Sequence, residues 1–299
     1  MLRYHKIFEK NKCSVIGMVH VGALPGMIFM LISFSFRIKY NFYLTKLTIN
    51  IHRMLLLNME NMHDIPYVRS TDLSPETITI MTKICAKIRN MLPKTIHCGV
   101  QILAGCNKEA IAVAKAASFQ FIRAEGFVFS HIADEGFIDA CAGPLLRYRK
   151  QIDADDVLVF ADIKKKHSSH AITSDVTISE TAKAAEFFLA DGVILTGTAT
   201  GDPPNAIALA GLFRLIIKPF NLFYNIYEQQ AAEGPVIVGS GVTTENIETY
   251  MSTDAVIVGS HFKVDGVWTN NVDKERVNNF MQKIEELRNK KEDTKFIFT

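Results

Sequence analysis

Tryptophan occurs once in this sequence and cysteine five times, and no two cysteines stand in a CxxC pair. The odd count and wide spacing of Cys13, Cys85, Cys98, Cys106 and Cys141 argue against a disulfide framework and a zinc ribbon. Reduced thiols are the plain reading. Long hydrophobic runs are also missing. The most apolar stretch, residues 27–36, is 10 residues long, against the ~20 that a bilayer-spanning helix needs. Near the N-terminus Arg3, Lys6, Lys10 and Lys12 face only Glu9. No apolar segment of a secretory signal follows them, and the stretch is short for a mitochondrial presequence. Finally, no charge dominates: 33 Lys+Arg stand against 31 Asp+Glu, a formal net charge of +2. A general nucleic-acid binder would carry a basic stripe. These absences leave the expectation of a soluble chain with no membrane insertion, cytoplasmic, with mitochondrial as the alternative.

What is present is a repeating alternation of short apolar runs and helix-like stretches. Strands are predicted near residues 14, 55, 96, 121, 157, 192, 235 and 255. Helices are predicted over 107–117, 136–151, 179–190, 243–250 and 273–289, with Ser179 and Asp273 as caps. The strands are almost continuously apolar, as parallel strands covered on both faces are. Eight such units in a 299-residue chain predict an α/β fold, a (β/α)8 TIM barrel. A doubly wound open sheet is less favoured because no GxGxxG follows the first strand. The expected organisation is an N-terminal extension over 1–13, one barrel domain over 14–290, and a C-terminal tail over 291–299.

Two windows break the pattern. Residues 28–54 contain no Gly, Ala, Val, Pro, Asp or Glu, and Phe34, Phe36, Ile38, Tyr40, Phe42 and Leu44 recur at period two. Residues 211–227 are similarly rich in Phe, Leu, Ile and Asn, with Pro219 inside. A barrel needs a helix between its first two strands, so local pattern and global fold conflict there. Both windows favour residues with AT-rich codons, and we read them as translated intron sequence or a faulty gene prediction. A transcript encoding both, with abundant protein, would overturn that reading. Together the windows hold six basic residues and no acid. The rest of the chain therefore carries 27 basic and 31 acidic residues, a formal charge of −4.

In a TIM barrel the chemistry sits at the C-terminal ends of the strands. Gly239-Ser240-Gly241 and Gly259-Ser260 end the last two strands. Their glycines allow backbone N–H groups to approach an anion, and Thr243 or Thr244 would open a helix whose N-terminus favours negative charge. A phosphate site is expected there. Asp162, Lys164 and His167 follow the fifth strand and form the expected acid–base group, with Glu60 and His63 after the second strand. Thr198, Gly201 and Asp202 add hydroxyl, N–H and carboxylate groups for a polar ligand. No cofactor is expected. A divalent metal is the alternative, with His20, Glu60, His63, Asp162 and His167 as its ligands.

Several longer motifs lie on these strand ends. They include Val15-Ile16-Gly17-Met18-Val19-His20 with Leu24-Pro25-Gly26, Glu60-Asn61-Met62-His63-Asp64-Ile65-Pro66-Tyr67, and Phe121-Ile122-Arg123. Further along come Asp134-Glu135-Gly136, Cys141-Ala142-Gly143 with Leu146-Arg147-Tyr148-Arg149, and Ala161-Asp162-Ile163-Lys164-Lys165-Lys166-His167. Asp191-Gly192-Val193-Ile194-Leu195-Thr196-Gly197, Thr200-Gly201-Asp202-Pro203-Pro204, Gly239-Ser240-Gly241-Val242-Thr243 and Val258-Gly259-Ser260 complete the set. With them the chain resembles the BtpA/SgcQ family from about residue 14 to 280. The resemblance implies a barrel of the ribulose-phosphate-binding type and a small phosphorylated metabolite as ligand. Cyanobacterial members are linked to photosystem I biogenesis, and bacterial relatives to sugar metabolism. The family name brings no reaction with it. Two rivals to a phosphometabolite enzyme therefore stand: a non-catalytic assembly factor with a protein partner or as a homo-oligomer, and a metal-dependent hydrolase.

Overall fold

Eight short apolar runs become eight parallel strands. The computed structural model describes residues 4, 7–8, 12–24, 56–197 and 234–296. Strands β1 (Ser14–His20), β2 (Leu56–Glu60), β3 (His97–Gln101) and β4 (Phe121–Ala124) form the first half of the barrel. Strands β7 (Leu158–Ile163), β9 (Gly192–Leu195), β10 (Val236–Val238) and β11 (Ala255–Val258) form the second, and β11 pairs with β1 to close it. Every barrel pairing is parallel. The fold is thus the α/β TIM barrel that the strand spacing predicts. The windows 28–54 and 211–227 lie outside the described residues.

Helices α1 (Pro75–Met91), α2 (Asn107–Ala116), α3 (Ala142–Gln151), α4 (Ile178–Phe187) and α5 (Lys274–Phe296) are the long helices among the described residues. Three expectations about helices need correction. The stretch 136–151 is not one helix: Gly136–Ile138 is a strand, β6, hairpinned to β5 (His131–Ala133). Gly136 takes a φ of +103°, which suits glycine and turns the chain after Asp134-Glu135. Likewise 243–250 forms only a 3-10 turn, Ile247–Tyr250. The Asn246 side chain donates to Gly241 O and accepts from Thr243 N, both at 2.8 Å, and so holds a loop where a helix could have started. For α4 the cap is Thr177 rather than Ser179, in a reciprocal capping box with Glu180. Asp273 caps α5, accepting from the N–H of Glu275 and Arg276.

Alternation along the strands builds the barrel interior. Ile16, Met18, Leu56, Phe121, Leu158, Phe160, Ile194, Ile237, Ala255 and Ile257 point inward and pack together. Phe121 and Phe160 pack with tilted rings, centroids 5.4 Å apart. A Cβ at Gly99 would lie 2.0 Å from the Phe121 ring, so glycine makes room for it. Ile7 and Phe8, from the segment before β1, join this cluster, and Phe8 stands 5.5 Å from Phe160. Phe8 is thus a stopper at the N-terminal end of the barrel. Phe8→Ala is expected to cost about 3–4 kcal/mol in urea unfolding, the usual cost of emptying a packed aromatic site. A loss below about 1 kcal/mol would show that the stopper is not part of the core.

The apolar filling stops one layer below the C-terminal rim. There the inward positions become Asn58, Glu60, Gln101, Arg123 and Asp162, all buried. His20 pairs in register with Glu60, and Glu60 with Gln101. A small antiparallel sheet of β6, β5 and β8 (Ser168–Ser169) is built from the loops after β4 and β7.

Candidate functional site

The polar layer is a network of buried charges. Arg123 Nε donates to both Asp162 oxygens at 3.0 Å. Burial pushes the Asp162 carboxyl up, against the pull of Arg123. Glu125, just beyond β4, accepts from Lys165 Nζ at 2.9 Å, Gln101 Nε2 at 2.7 Å and Gly105 N at 3.2 Å. Its backbone is clamped by Asn107, whose Nδ2 donates to Glu125 O and whose Oδ1 accepts from Glu125 N. Burial alone would raise the Glu125 carboxyl, but Lys165, with Arg123 and the Gln101 hydrogen bond, holds it below the ordinary carboxylate range. For Lys165 burial pulls down, and Glu125 more than restores the charge.

Glu60 behaves in the opposite way. It is buried, and burial raises its carboxyl while Arg123 and Lys166 oppose. Its neighbour in the ion-pair geometry is His20, Nε2 to Oε2 at 3.9 Å. His20 itself is lowered to about 3 by burial and by the nearby charges of Lys263 and His63, so its imidazole is neutral. Two carboxylates in one layer are therefore pushed apart in pKa, with Glu60 up and Glu125 down. That is the pattern of an acid–base group beside a fixed ionic scaffold.

Across the mouth, the rings of His20, His63 and Trp268 form a cluster, with His63 5.1 Å from Trp268 and 6.2 Å from His20. The turn after β11 lies against His20: a Cβ at Gly259 would stand 3.8 Å from His20 Nε2. Gly241 takes a φ of +67°. The backbone N–H groups of Gly241, Gly259 and Ser260 have no acceptor among the described residues. The expected helix N-terminus is not there, because Thr243 N is taken by Asn246 and Thr244 N donates to His261 Nε2 at 3.3 Å.

Of the sequence-predicted residues, the fold brings together His20, Glu60, His63 and Asp162, with the turns Gly239-Ser240-Gly241 and Gly259-Ser260 beside them. Two others are placed differently. Lys164 sends its ammonium to Thr173 O at 2.7 Å, and His167 is exposed. Thr198, Gly201 and Asp202 lie outside the described residues. Among the described residues, no three His, Cys, Asp or Glu side chains are grouped to share one metal ion. The set His20, Glu60, His63, Asp162 and His167 is thus not assembled as a metal centre.

Lys165 and Lys166 take the place expected of Lys164. Alternation from Phe160 and Asp162 puts Lys164 on the inner face, but its φ of +47° breaks the strand and shifts the parity. Lys166 lies close enough to Arg123, Glu60 and Asp162 to feel all three, and burial lowers its ammonium. Arg123 and Glu125 were legible from alternation with Phe121. Lys263, beyond the 3-10 turn Ser260–Phe262, had no sequence signal. It is 7% exposed, and burial lowers it to about 8.

Lys263 yields a pH prediction. In the unfolded chain it titrates near ~10.4, so its folded-state value is depressed. Burying the charged form costs on the order of 3 kcal/mol, fully present below about pH 8 and gone above ~10.4. Lys263→Met should therefore be more stable than the parent at about pH 7, with the gap closing by about pH 10.5. A gap independent of pH in paired urea titrations would contradict the assignment.

Comparisons with known proteins agree with this fold. A phosphoribosyl anthranilate isomerase from Thermus thermophilus superposes with a TM-score of 0.51, covering 92% of this chain and 99% of that one at 12% identity. A second phosphoribosyl anthranilate isomerase structure holds reduced 1-(O-carboxyphenylamino)-1-deoxyribulose 5-phosphate. It gives 0.50, covering 92% and 99% at 10% identity. At such identities the likeness shows the fold alone. In sequence, an uncharacterized mitochondrial protein of Caenorhabditis elegans is 40% identical over 289 residues, 95% of this chain and 97% of that one. The photosystem I biogenesis protein BtpA of Synechocystis is 31% identical over 230 residues, 76% of this chain and 73% of that one. The BtpA family model matches residues 11–286. With strand-end motifs, barrel and family match in agreement, this chain belongs to the BtpA family.

Proposed function

We propose that the protein binds a small phosphorylated metabolite at the C-terminal face of its barrel and moves protons on it. The observation that carries this reading is the meeting of two features on one stretch of the barrel rim. One is the set of backbone N–H groups of Gly241, Gly259 and Ser260, which have no acceptor among the described residues, with the buried Lys263 close by in sequence. The other is Glu60 at the end of β2, separated from β11 by β1 alone and next to His20, with a carboxyl that burial raises. Glycine-rich turns after the last two strands suit phosphate in barrels of this type, and an acid with a raised pKa suits proton transfer near neutrality. Lys166, whose charge reaches Glu60 and Asp162, adds positive charge that favours an anion. The isomerase structure with a bound deoxyribulose 5-phosphate compound supports the ligand class by analogy of fold. Asp162, locked to Arg123, positions that guanidinium rather than exchanging protons itself.

Titration calorimetry tests the reading. A pentose 5-phosphate should bind at least about 100-fold more tightly than the unphosphorylated pentose, as a buried charge-assisted site requires. Equal affinities, or binding of neither, would refute the proposal. Among the described residues no helix is long and apolar enough to cross a membrane. The C. elegans relative is called mitochondrial, and we extend that compartment to this protein as the alternative to the cytoplasm. Fractionation of the source cells distinguishes the two.

A further inference from the structure

Lys263 stands out as a buried amine without a counter-ion among the described residues. Its backbone is fixed on both sides: Lys263 N donates to Ser260 O at 2.9 Å, Lys263 O accepts from Gly266 N at 3.0 Å, and the residue bridges antiparallel to Val272. Its Nζ has no hydrogen-bond acceptor and no carboxylate partner among the described residues. The other buried lysine, Lys165, has Glu125 at 2.9 Å. The groups that Lys263 faces are the His20 and His63 imidazoles, close enough for its charge to depress both. Behind His20 stands Glu60, with Oε2 3.9 Å from Nε2. A stable fold does not need an unpaired ammonium in such a place, and its burial is a cost.

The chemistry of the surroundings suits one use of such an amine. Imine formation needs a neutral amine to attack a carbonyl carbon and an acid to protonate the hydroxyl that departs as water. With Lys263 at about 8, roughly a quarter of it is neutral at about pH 7.5. An exposed lysine of ordinary pKa has only about a thousandth neutral. The proton that the nitrogen sheds after attack passes to water, since His20, lowered to about 3, is too weak a base to hold it. Glu60, raised by burial, can supply the proton to the leaving hydroxyl.

We propose that Lys263 is an imine-forming lysine, whose Nζ condenses with the carbonyl carbon of a small phosphorylated aldehyde or ketone at the barrel mouth. The C–N bond forms as the amine nitrogen gives up two protons and the carbonyl oxygen takes up two and leaves as water. Hydrolysis reverses the step, and no oxidant or reductant is consumed. The identity of the ligand rests on the function proposed above, whereas the reactivity of the lysine does not.

The test uses the full chain, glycolaldehyde phosphate as probe and sodium cyanoborohydride to trap the imine, with the modified residue located by peptide mass mapping. The expected result is one adduct per chain, on Lys263, formed on the order of a hundredfold faster at about pH 7.5 than on surface lysines. Its rate should level off above about pH 8. Lys263→Arg, which keeps the charge, should lose the adduct. Labelling spread over surface lysines with Lys263 unmodified would overturn the proposal. Unphosphorylated glycolaldehyde and excess inorganic phosphate separate the two readings. If Lys263 reacts equally with both aldehydes and phosphate gives no protection, the lysine assignment stands and the phosphate site falls.

Discussion

Arg123→Met is expected to lower the unfolding free energy by about 3–5 kcal/mol, and the melting temperature by roughly 10 °C. The guanidinium is buried at the inner end of β4 and bonded to both oxygens of Asp162. Removing it leaves Asp162 buried without its cation, beside the raised carboxyl of Glu60. Most of the cost is that stranded charge rather than the lost pair, so the double variant Arg123→Met/Asp162→Leu should recover much of it. Urea titration of the two variants and the parent measures both numbers. If the single variant loses less than about 1 kcal/mol, the polar layer is wetter and less tightly paired than described. If the double variant is no better than the single, charge burial is not the cause.

Ser260→Asp is expected to weaken binding of a pentose 5-phosphate by about 100-fold while leaving stability within about 0.5 kcal/mol of the parent. Ser260 is half-buried at the rim, and its side chain makes no hydrogen bond among the described residues. The fold therefore does not depend on it. A carboxylate there would face the phosphate. At about 5 Å from a dianion, and at an effective dielectric of about 40, the repulsion is about 3 kcal/mol. Ser260→Asn, similar in size and neutral, should bind within a few-fold of the parent. Titration calorimetry on the three proteins checks this. Equal affinities for the Asp and Asn variants would move the phosphate away from the turn after β11.

The barrel was legible because each of its strands is short, apolar and buried on both faces, and runs such as Val157-Leu158-Val159-Phe160 carry no competing signal. The rim was legible wherever alternation continued. Phe121, Arg123 and then Glu125 follow one another at period two, as do Leu158, Phe160 and Asp162. It failed where the backbone left the strand: one residue of positive φ at Lys164 handed the inner face to Lys165 and Lys166. The helix expected after Thr243 failed for a different reason, a side-chain bond from Asn246 to Gly241 that propensity does not weigh. Lys263 was illegible because its burial is a product of the closed barrel. Nothing adjacent to it in sequence is unusual for an exposed lysine.

The central claim is that phosphate sits between the last two strand ends, facing Glu60. A crystal of the full chain soaked with a pentose 5-phosphate tests it most directly. The phosphate is predicted within hydrogen-bond distance of the Gly241, Gly259 and Ser260 N–H groups, with the sugar carbons reaching toward Glu60 and Lys263. Phosphate bound elsewhere, with those turns empty, would contradict it.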